Sequence, residues 1–379
     1  MTLADVRIDA DFLRTQLLEL LAIPSPSGFT EAITRHVCGV LDELGVGYEL
    51  TRRGAIRAEL RGRVQQPDRA IVAHLDTLGA IVRQLKPNGR LSLAPIGHWS
   101  SRFAEGARCD LFTDEHRYRG TILPLLASGH SFGEEIDRQP VNWDQVELRV
   151  DEPIRDAADL AALGIRSGDI VAVDPQPEIS RSGFITSRHL DDKAGVAALL
   201  TAVRAIVEAG IELPTDIHPL FTISEEVGSG ASAILHGDVA EMVAIDNAPP
   251  STIQNSVEEA VTIAFGDSSG PFDRRLARRL FDLAEEHDVP VVRDVFRYYR
   301  CDVASAVEAG NDIRTALICF GIDASHGYER TRLESLNHLA RLIVAYATSE
   351  PTVARDRDEL GPIEGFPRPD LGEIPTEET

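Results

Sequence analysis

A histidine and an aspartate two residues apart could form part of a metal site near the start of the chain. They are His74 and Asp76, in the stretch His-Leu-Asp-Thr. In an extended segment both side chains point to the same face. Asp76 could then accept a hydrogen bond from one ring nitrogen of His74 and leave the other nitrogen for a metal ion. The pattern predicts His74 as a ligand, although this spacing also occurs by chance.

Two pairs of adjacent carboxylates follow further along the chain. Asp191 and Asp192 precede an alanine-rich segment, and Glu225 and Glu226 stand between an apolar run and a glycine-rich turn. Burying adjacent like charges is costly unless cations or donors neutralise them, and a dication that bridges through one of the two aspartates would do so. Because adjacent side chains diverge, one glutamate of the pair could bind metal while the other acts as general base on a metal-bound water. Helix capping by the aspartates and a solvated glutamate pair are the alternatives.

Asp246 and His326 each follow an apolar run with the character of a strand. Either residue alone is more often a cap or a packed histidine than a ligand. Open α/β sheets, however, place their sites at the carboxyl ends of strands, and the combined nitrogen and oxygen donors suit zinc, cobalt or manganese. The sequence therefore predicts two divalent metal ions, with zinc as first choice. The five predicted ligands are His74, Asp191, Glu226, Asp246 and His326.

The segments around these motifs predict the elements that position them. Helical and strand patterns alternate on both sides of a central stretch, which indicates the α/β class with a mostly parallel, mixed sheet flanked by helices. The predicted helices cover 11–21, 30–44, 193–209 and about 331–348, the last beginning at a capping box of Thr331 and Glu334. The predicted strands of this core cover 70–73, 169–173, 217–223, 242–245 and 316–320.

The stretch 78–174 has a different pattern, with short alternating strands and a hairpin-type turn at Pro87-Asn88-Gly89. We expect an inserted β-rich domain for oligomerisation or lid formation over 78–174, and a discontinuous catalytic domain made of 1–77 and 175–349. Residues 350–379 contain five prolines among many acidic residues, which is typical of a mobile tail.

The composition excludes some classes of partner. Lysine and arginine total 38 against 61 aspartates and glutamates, a formal net charge of −23, which disfavours nucleic acid and anionic membranes. The first residues show no secretory pattern, and no apolar run reaches membrane-spanning length. The four cysteines are far apart along the chain, as is usual for reduced thiols. We expect a cytoplasmic protein that binds neither nucleic acid nor membranes.

In this order the motifs resemble those of the tetrahedral (TET-type) metalloaminopeptidases, metallopeptidase family forty-two, over nearly all of residues 1–349. Related carboxypeptidases and deacylases place their extra domain after the Glu-Glu motif, whereas here it precedes the Asp-Asp motif. The resemblance implies a phosphorylase/hydrolase-like zinc peptidase core. It also implies a PDZ-like inserted domain and a homo-oligomer built from dimers, up to a tetrahedral dodecamer.

The resemblance also implies a role for each site residue. His74 and Asp246 would bind one ion, and Glu226 and His326 the other. Asp191 would bridge both ions, and its peptide bond to Asp192 would be cis. Glu225 takes the general-base position, and Asp76 is the second catalytic residue.

The chain departs from the family pattern at positions expected to take part in substrate recognition. Thr77 stands where a glutamate commonly follows, and Arg-Cys-Asp-Val-Ala at 300–304 stands where Gly-Thr-Asp-Ala is usual. The segment Arg297, Tyr298, Tyr299 and Arg300 is a candidate wall of the substrate pocket, with an ordinary surface strand as the alternative.

Together these features predict an aminopeptidase that removes the first residue of short peptides. A water bridging the two ions would lose its proton to Glu225 and attack the scissile carbonyl, and Glu225 would then protonate the leaving amine. The alternatives are a deacylase or carboxypeptidase with the same metal pair, an endoglucanase, and an inactive peptide-binding scaffold.

Overall fold

The computed structural model describes residues 6–235, 238–358 and 360–368. Its α-helices are α1 (Ala10–Ala22), α2 (Glu31–Leu44), α3 (Gly129–Phe132), α4 (Ala157–Ala162), α5 (Leu190–Ala209), α6 (Arg274–Glu286), α7 (Asp302–Glu308) and α8 (Leu333–Thr348). Its strands are β1 (Gly47–Leu50), β2 (Ile56–Glu59), β3 (Gly62–His74), β4 (Gly79–Leu85), β5 (Leu91–Ile96), β6 (Arg108–Phe112), β7 (Arg117–Pro124), β8 (Val146–Val150), β9 (Ile170–Val173), β10 (Glu178–Ile179), β11 (Phe184–Ser187), β12 (Leu213–Thr222), β13 (Val239–Ala248), β14 (Val261–Ala264), β15 (Gly266–Asp267), β16 (Gly270–Pro271), β17 (Val291–Asp294), β18 (Arg314–Gly321) and β19 (Glu329–Arg332).

A mixed eight-stranded sheet forms the centre, in the order β1-β2-β12-β3-β13-β18-β14-β17. Strands β12, β3, β13 and β18 are mutually parallel, while β2 and β14 run antiparallel to their neighbours β12 and β18. Strands β12 and β13 are buried along almost their whole length, as expected of strands covered on both faces. The predicted α/β class and mixed sheet are confirmed.

Helices α5, α6 and α8 pack against this sheet, and α1 packs against α5 and α8. Asp9 starts α1 by accepting hydrogen bonds from the backbone N–H groups of Asp11 and Phe12. The predicted capping box at α8 is wrong, because Thr331 lies in β19 and its hydroxyl donates to the carbonyl of Gly321. One apolar face of α8 is buried in the core.

Six antiparallel strands form a closed barrel in the order β4-β5-β8-β7-β6-β9. The barrel has its own core, with Leu91, Leu93, Leu111 and Leu148 among its buried side chains. It lies within residues 79–173, while the division of the chain into two domains and the PDZ-like class of the insertion stay predictions. Strand β9 was expected in the central sheet; instead it pairs with β4 and β6 and closes the barrel.

The described part of the carboxyl-terminal segment contacts the core. Arg314 forms ion pairs with Asp356 of this segment and with Asp273 at the start of α6. The guanidinium of Arg275 donates to the carbonyl of Arg368. The mobility of this segment stays a prediction, and residues 359 and 369–379 lie outside the described ones.

All four cysteines are buried free thiols, as expected. Among the helices described, none has the length and apolar character needed to span a bilayer.

A buried arginine on β3 closes the end of α8. The fully buried Arg69 donates to the carbonyls of Tyr346, Ala347 and Ser349 at 2.8 to 3.0 Å. We expect Arg69→Met to lower the free energy of unfolding by about 3 kcal/mol, because it leaves these buried carbonyls without donors. Urea unfolding followed by circular dichroism measures the change.

The matched control is Arg63→Met on the same strand. Arg63 pairs with Glu350 at 2.8 Å, but both side chains are at least half exposed, and such pairs contribute little. Equal losses of stability in the two variants would contradict the role given to Arg69.

Candidate dinuclear metal site

The predicted ligands meet at the carboxyl edge of the central sheet. His74 is the last residue of β3 and lies level with Thr222, the last residue of β12. Asp246 lies near the end of β13. Asp191 stands at the start of α5, where the backbone leaves the helical conformation and the Asp191–Asp192 peptide bond is cis, as the resemblance implies.

Two groups of side chains are arranged so that each could hold an ion. One group is His74, Asp191 and Asp246, and the other is Asp191, Glu226 and His326; within each group the ligand atoms all lie within 4.8 Å of one another. Asp191 belongs to both. Its Oδ1 lies 3.2 Å from Nε2 of His74, and its Oδ2 lies 3.3 Å from Nε2 of His326. The structure thus brings all five predicted ligands together, with one aspartate between the two groups.

The carboxylate of Asp76 has a different partner from the one expected. Nδ1 of His74 donates to the backbone carbonyl of Asp76 at 2.9 Å, while the carboxylate lies 3.7 Å away. Instead, the carboxylate accepts hydrogen bonds from the backbone N–H groups of Glu225 and Glu226 and from the hydroxyl of Ser27. Asp76 therefore holds the turn that carries the two glutamates, and the carbonyl orients the histidine.

The barrel orients the second histidine. Nδ1 of His326 donates to the backbone carbonyl of His98 at 2.8 Å, and His98 follows β5 in the barrel. This bond keeps the proton on Nδ1 and leaves Nε2 free to face Asp191 and Glu226.

Glu329 is a site residue that the sequence analysis missed. Its carboxylate accepts hydrogen bonds from the backbone N–H groups of Leu190, Asp191 and His326 at 2.8 to 3.3 Å. Glu329 thus connects the loop that carries His326 to the segment that carries Asp191. Its position three residues after His326 is the only signal that the sequence offers.

The neighbours of the ligands also have defined partners. Nδ2 of Asn247 donates to Asp191 and Asp246 at 2.7 and 3.1 Å. Oδ2 of Asp192 accepts the backbone N–H of His74, while its Oδ1 lies 2.1 Å from the position of a Cβ on Gly195 and, within the described residues, has no hydrogen-bond partner. Asp192 is therefore a supporting residue.

The charges of the site require compensation. Burial, together with repulsion from neighbouring carboxylates, raises the pKa of Glu225 and of Asp246 well above the ordinary values. Within the described residues, Oε1 of Glu226 is buried without a hydrogen-bond partner. Divalent cations would supply both the missing charge and the missing partner. The residues therefore fit two such ions.

A cavity of about 330 Å³ opens above the two groups. Tyr298, Tyr299 and Arg300 line it as predicted, whereas Arg297 does not and stacks its guanidinium over the ring of Tyr298 at 5.2 Å. A larger cavity of about 890 Å³ lies at the opposite ends of the strands, against residues 355–358, and contains none of the predicted site residues.

Comparison with known proteins gives consistent matches. The model of the M42 glutamyl aminopeptidase family matches residues 54–342. YhfE of Bacillus subtilis, whose designation as an aminopeptidase is provisional, is 39% identical over 332 residues, which cover 87% of this chain and 96% of YhfE. The glutamyl aminopeptidase of Lactococcus lactis is 26% identical over 69% of this chain and 71% of its own length.

Solved structures share the fold. The TET1 peptidase of Pyrococcus horikoshii superposes with a TM-score of 0.79 at 23% identity, over 89% of this chain and all of that chain. A TET aminopeptidase from a marine-sediment thaumarchaeon gives a TM-score of 0.81 at 16% identity, over 89% of this chain and 96% of that chain.

The metal-free protein should lose stability as pH rises from about 6.5 to 8, because this range lies between the ordinary and the folded-state pKa of both Glu226 and His326. Burial raises the pKa of Glu226 from 4.5 to about 8. Burial lowers the pKa of His326, but the hydrogen bond with Asp191 and nearby charges outweigh it and raise that pKa from 6.5 to about 10. Both groups bind protons more tightly in the folded state, so both lose stabilisation as pH rises between those values.

Saturating zinc should flatten this dependence, because the ligands then bind a cation rather than protons. Thermal melting at several pH values, with chelator and with zinc, measures both slopes. Equal slopes of melting temperature against pH, with chelator and with zinc, would contradict a metal site at these residues.

Substitution of Gly97 in the barrel should weaken the binding of one of the two metal ions. Gly97 has φ +80°, and a Cβ there would lie 2.5 Å from Leu78 and 3.5 Å from Cβ of Glu226. We expect Gly97→Ala to displace the adjacent His98 carbonyl and to lower the affinity of one of two bound metal ions about tenfold to a hundredfold. Calorimetric titration of metal-free protein with zinc measures both affinities.

The matched control is Gly106→Ala in the same barrel. Gly106 has nearly the same φ, +79°, but a Cβ there would have no atom within 4 Å. The backbone strain is therefore equal and only the contact differs. If the two variants bound zinc alike, the barrel would have no part in orienting His326.

Proposed function

Because the chain belongs to the M42 glutamyl aminopeptidase family, it is a hydrolase that acts on peptide bonds, and we propose that it removes the amino-terminal residue of short peptides. Two divalent metal ions would assist the reaction, with Glu225 as general base. The position of Asp191 supports this best, because it presents one carboxylate oxygen to each of two histidines. A shared carboxylate of this kind is suited to two ions rather than one.

Each ion would have its own set of ligands. His74, Asp191 and Asp246 would hold one, and Asp191, Glu226 and His326 the other. Zinc is our first choice, and cobalt and manganese accept the same donors. When bound, the ions would supply Lewis acidity that polarises the scissile carbonyl and lowers the pKa of the attacking water.

Glu225 is placed to move the proton. It lines the cavity, its Oε2 lies 3.9 Å from Nε2 of His74, and its backbone N–H is held by Asp76 at 3.1 Å. Its carboxylate would take a proton from the attacking water as the oxygen adds to the carbonyl carbon. It would then give that proton to the amide nitrogen as the C–N bond breaks. The raised pKa of Glu225 suits a group that must hold a proton between two steps.

The free amino terminus of the substrate would be recognised by acidic groups. Asp246 and Asp302 line the same cavity as Glu225, and an ammonium or amine placed among them would be favoured by their charge. An N-acylated peptide lacks this group and should bind poorly.

We also propose a homo-oligomer built from dimers, since TET1 of Pyrococcus horikoshii assembles into a tetrahedron or an octahedral shell. A cytoplasmic location belongs to the same proposal. So does a catalytic role for Asp76, through the turn of Glu225 and Glu226 that it holds.

Glu225→Gln should lower kcat on aminoacyl amides roughly 10²- to 10⁴-fold, because the amide cannot accept the proton. KM should change little, and both metal ions should remain bound, since Glu225 belongs to neither ligand group. Steady-state kinetics and metal analysis of the purified variant measure these effects. Glu43→Gln, an exposed change on α2, is the control for substitution itself.

N-acetylated counterparts of the same amides separate the alternatives. Cleavage restricted to the acetylated set would indicate a deacylase, and retention of full activity by Glu225→Gln would reject Glu225 as the base. A wild-type protein that binds zinc and cleaves neither set would favour the scaffold alternative.

A further inference from the structure

The cavity above the site has an uneven distribution of charge. Most of the aspartate, glutamate, lysine and arginine side chains that line it are acidic and lie around the two metal groups. Among the residues that line it, Arg300 has the one permanent positive charge, since only His98 and His326 are otherwise cationic and only when protonated. The acidic lining residues are Asp191, Glu225, Glu226, Asp246 and Asp302.

Arg300 lies on a segment that is fixed beside the site. It directly precedes Cys301 and Asp302, which are both buried at the start of α7. The carboxylate of Asp302 accepts hydrogen bonds from the hydroxyl of Thr222 at 2.5 Å and from the backbone N–H of Ala231 at 2.8 Å. Thr222 ends β12, the strand that leads to Glu225. The backbone at Arg300 is therefore anchored to the same strand end as the proposed general base.

The ion pair of Arg300 leaves it available to a ligand. Its Nη2 donates to Oε2 of Glu308 at 2.6 Å, with the side chains 40% and 62% exposed. A pair this exposed contributes little net stabilisation. A guanidinium has five N–H donors in a planar fork, and a carboxylate can accept two of them at once. Contact with Glu308 therefore orients Arg300 without using up its donors.

The geometry points to Arg300 as a specificity residue that binds a carboxylate of the substrate. A peptide with its amine among the acidic groups and a carboxylate at Arg300 would match the charges of the side chains that line the cavity. The volume of about 330 Å³ is at the small end of ligand pockets, which favours a substrate as short as a dipeptide. The carboxylate is either the side chain of an acidic first residue or the carboxyl terminus of a dipeptide. This inference rests on the proposed aminopeptidase function.

Four substrates distinguish the two sources: Glu-Ala, Gln-Ala, Glu-Ala amide and Gln-Ala amide. We expect Arg300→Gln to lower kcat/KM about tenfold to a hundredfold, mainly through KM, for the substrates that carry the recognised carboxylate. Loss for both Glu peptides identifies the side chain, and loss for both free acids identifies the carboxyl terminus. Gln-Ala amide has neither carboxylate, so its kcat/KM should stay within about twofold.

Arg297→Gln is the matched control, because Arg297 is an exposed arginine three residues away that stacks on Tyr298 outside the cavity lining. It should leave all four rates unchanged. Arg300→Lys keeps the charge but not the fork, and should recover part of the loss. Equal loss on all four substrates, or equal effects of the two glutamine variants, would overturn the assignment.

Binding without turnover gives a second measurement. In a Glu225→Gln background, calorimetry should show that Arg300→Gln weakens binding of the carboxylate-bearing peptide about tenfold or more and does not weaken binding of Gln-Ala amide. Failure of the wild-type protein to cleave any of the four peptides would reject the proposed function instead. Cleavage of Gln-Ala amide by every variant would uphold that function whatever becomes of Arg300.

Discussion

The repulsion among buried carboxylates at the carboxyl edge of the sheet is the constraint on which the rest of the site depends. Glu225, Glu226, Asp191 and Asp246 lie together where water is scarce, and burial raises the pKa of three of them. The chain opposes this repulsion with Asn247, whose side-chain amide donates to Asp191 and Asp246 and whose backbone N–H donates to Asp246. What these donors leave uncompensated is the charge that two cations would neutralise.

The supporting carboxylates share one task, which is to hold backbone rather than metal. Asp76 fixes the turn of the two glutamates, Glu329 joins the loops of Asp191 and His326, and Asp302 anchors the start of α7. Each is buried, and each accepts N–H groups from a segment distant in sequence. The ligands are thus positioned by a second set of acids, so the acidic character of the site extends well beyond the metal groups.

The strand β11 that precedes Asp191 belongs to a separate three-stranded sheet. The convergence of the other four ligands could be predicted from the sequence, because each follows an apolar run and parallel strands end at one edge of a sheet. Their hydrogen-bond partners could not. His74 and His326 both donate to backbone carbonyls, and a carbonyl has no signature in the residue type. Strand β9 was misplaced for a related reason: its short apolar run predicts a strand but does not say which sheet that strand joins. It closes the barrel by pairing with β4 at one edge and with β6 at the other.

The carbonyl of His98 has a consequence for how this protein can change over evolutionary time. A module inserted into a loop is usually free to drift, shorten or be exchanged for another of the same size. Here the barrel supplies an atom that the histidine of the core requires, so the two parts must vary in concert. A barrel transplanted from a relative would need to present a carbonyl at the same point in space. The barrel is therefore tied to the chemistry of the site through this one hydrogen bond.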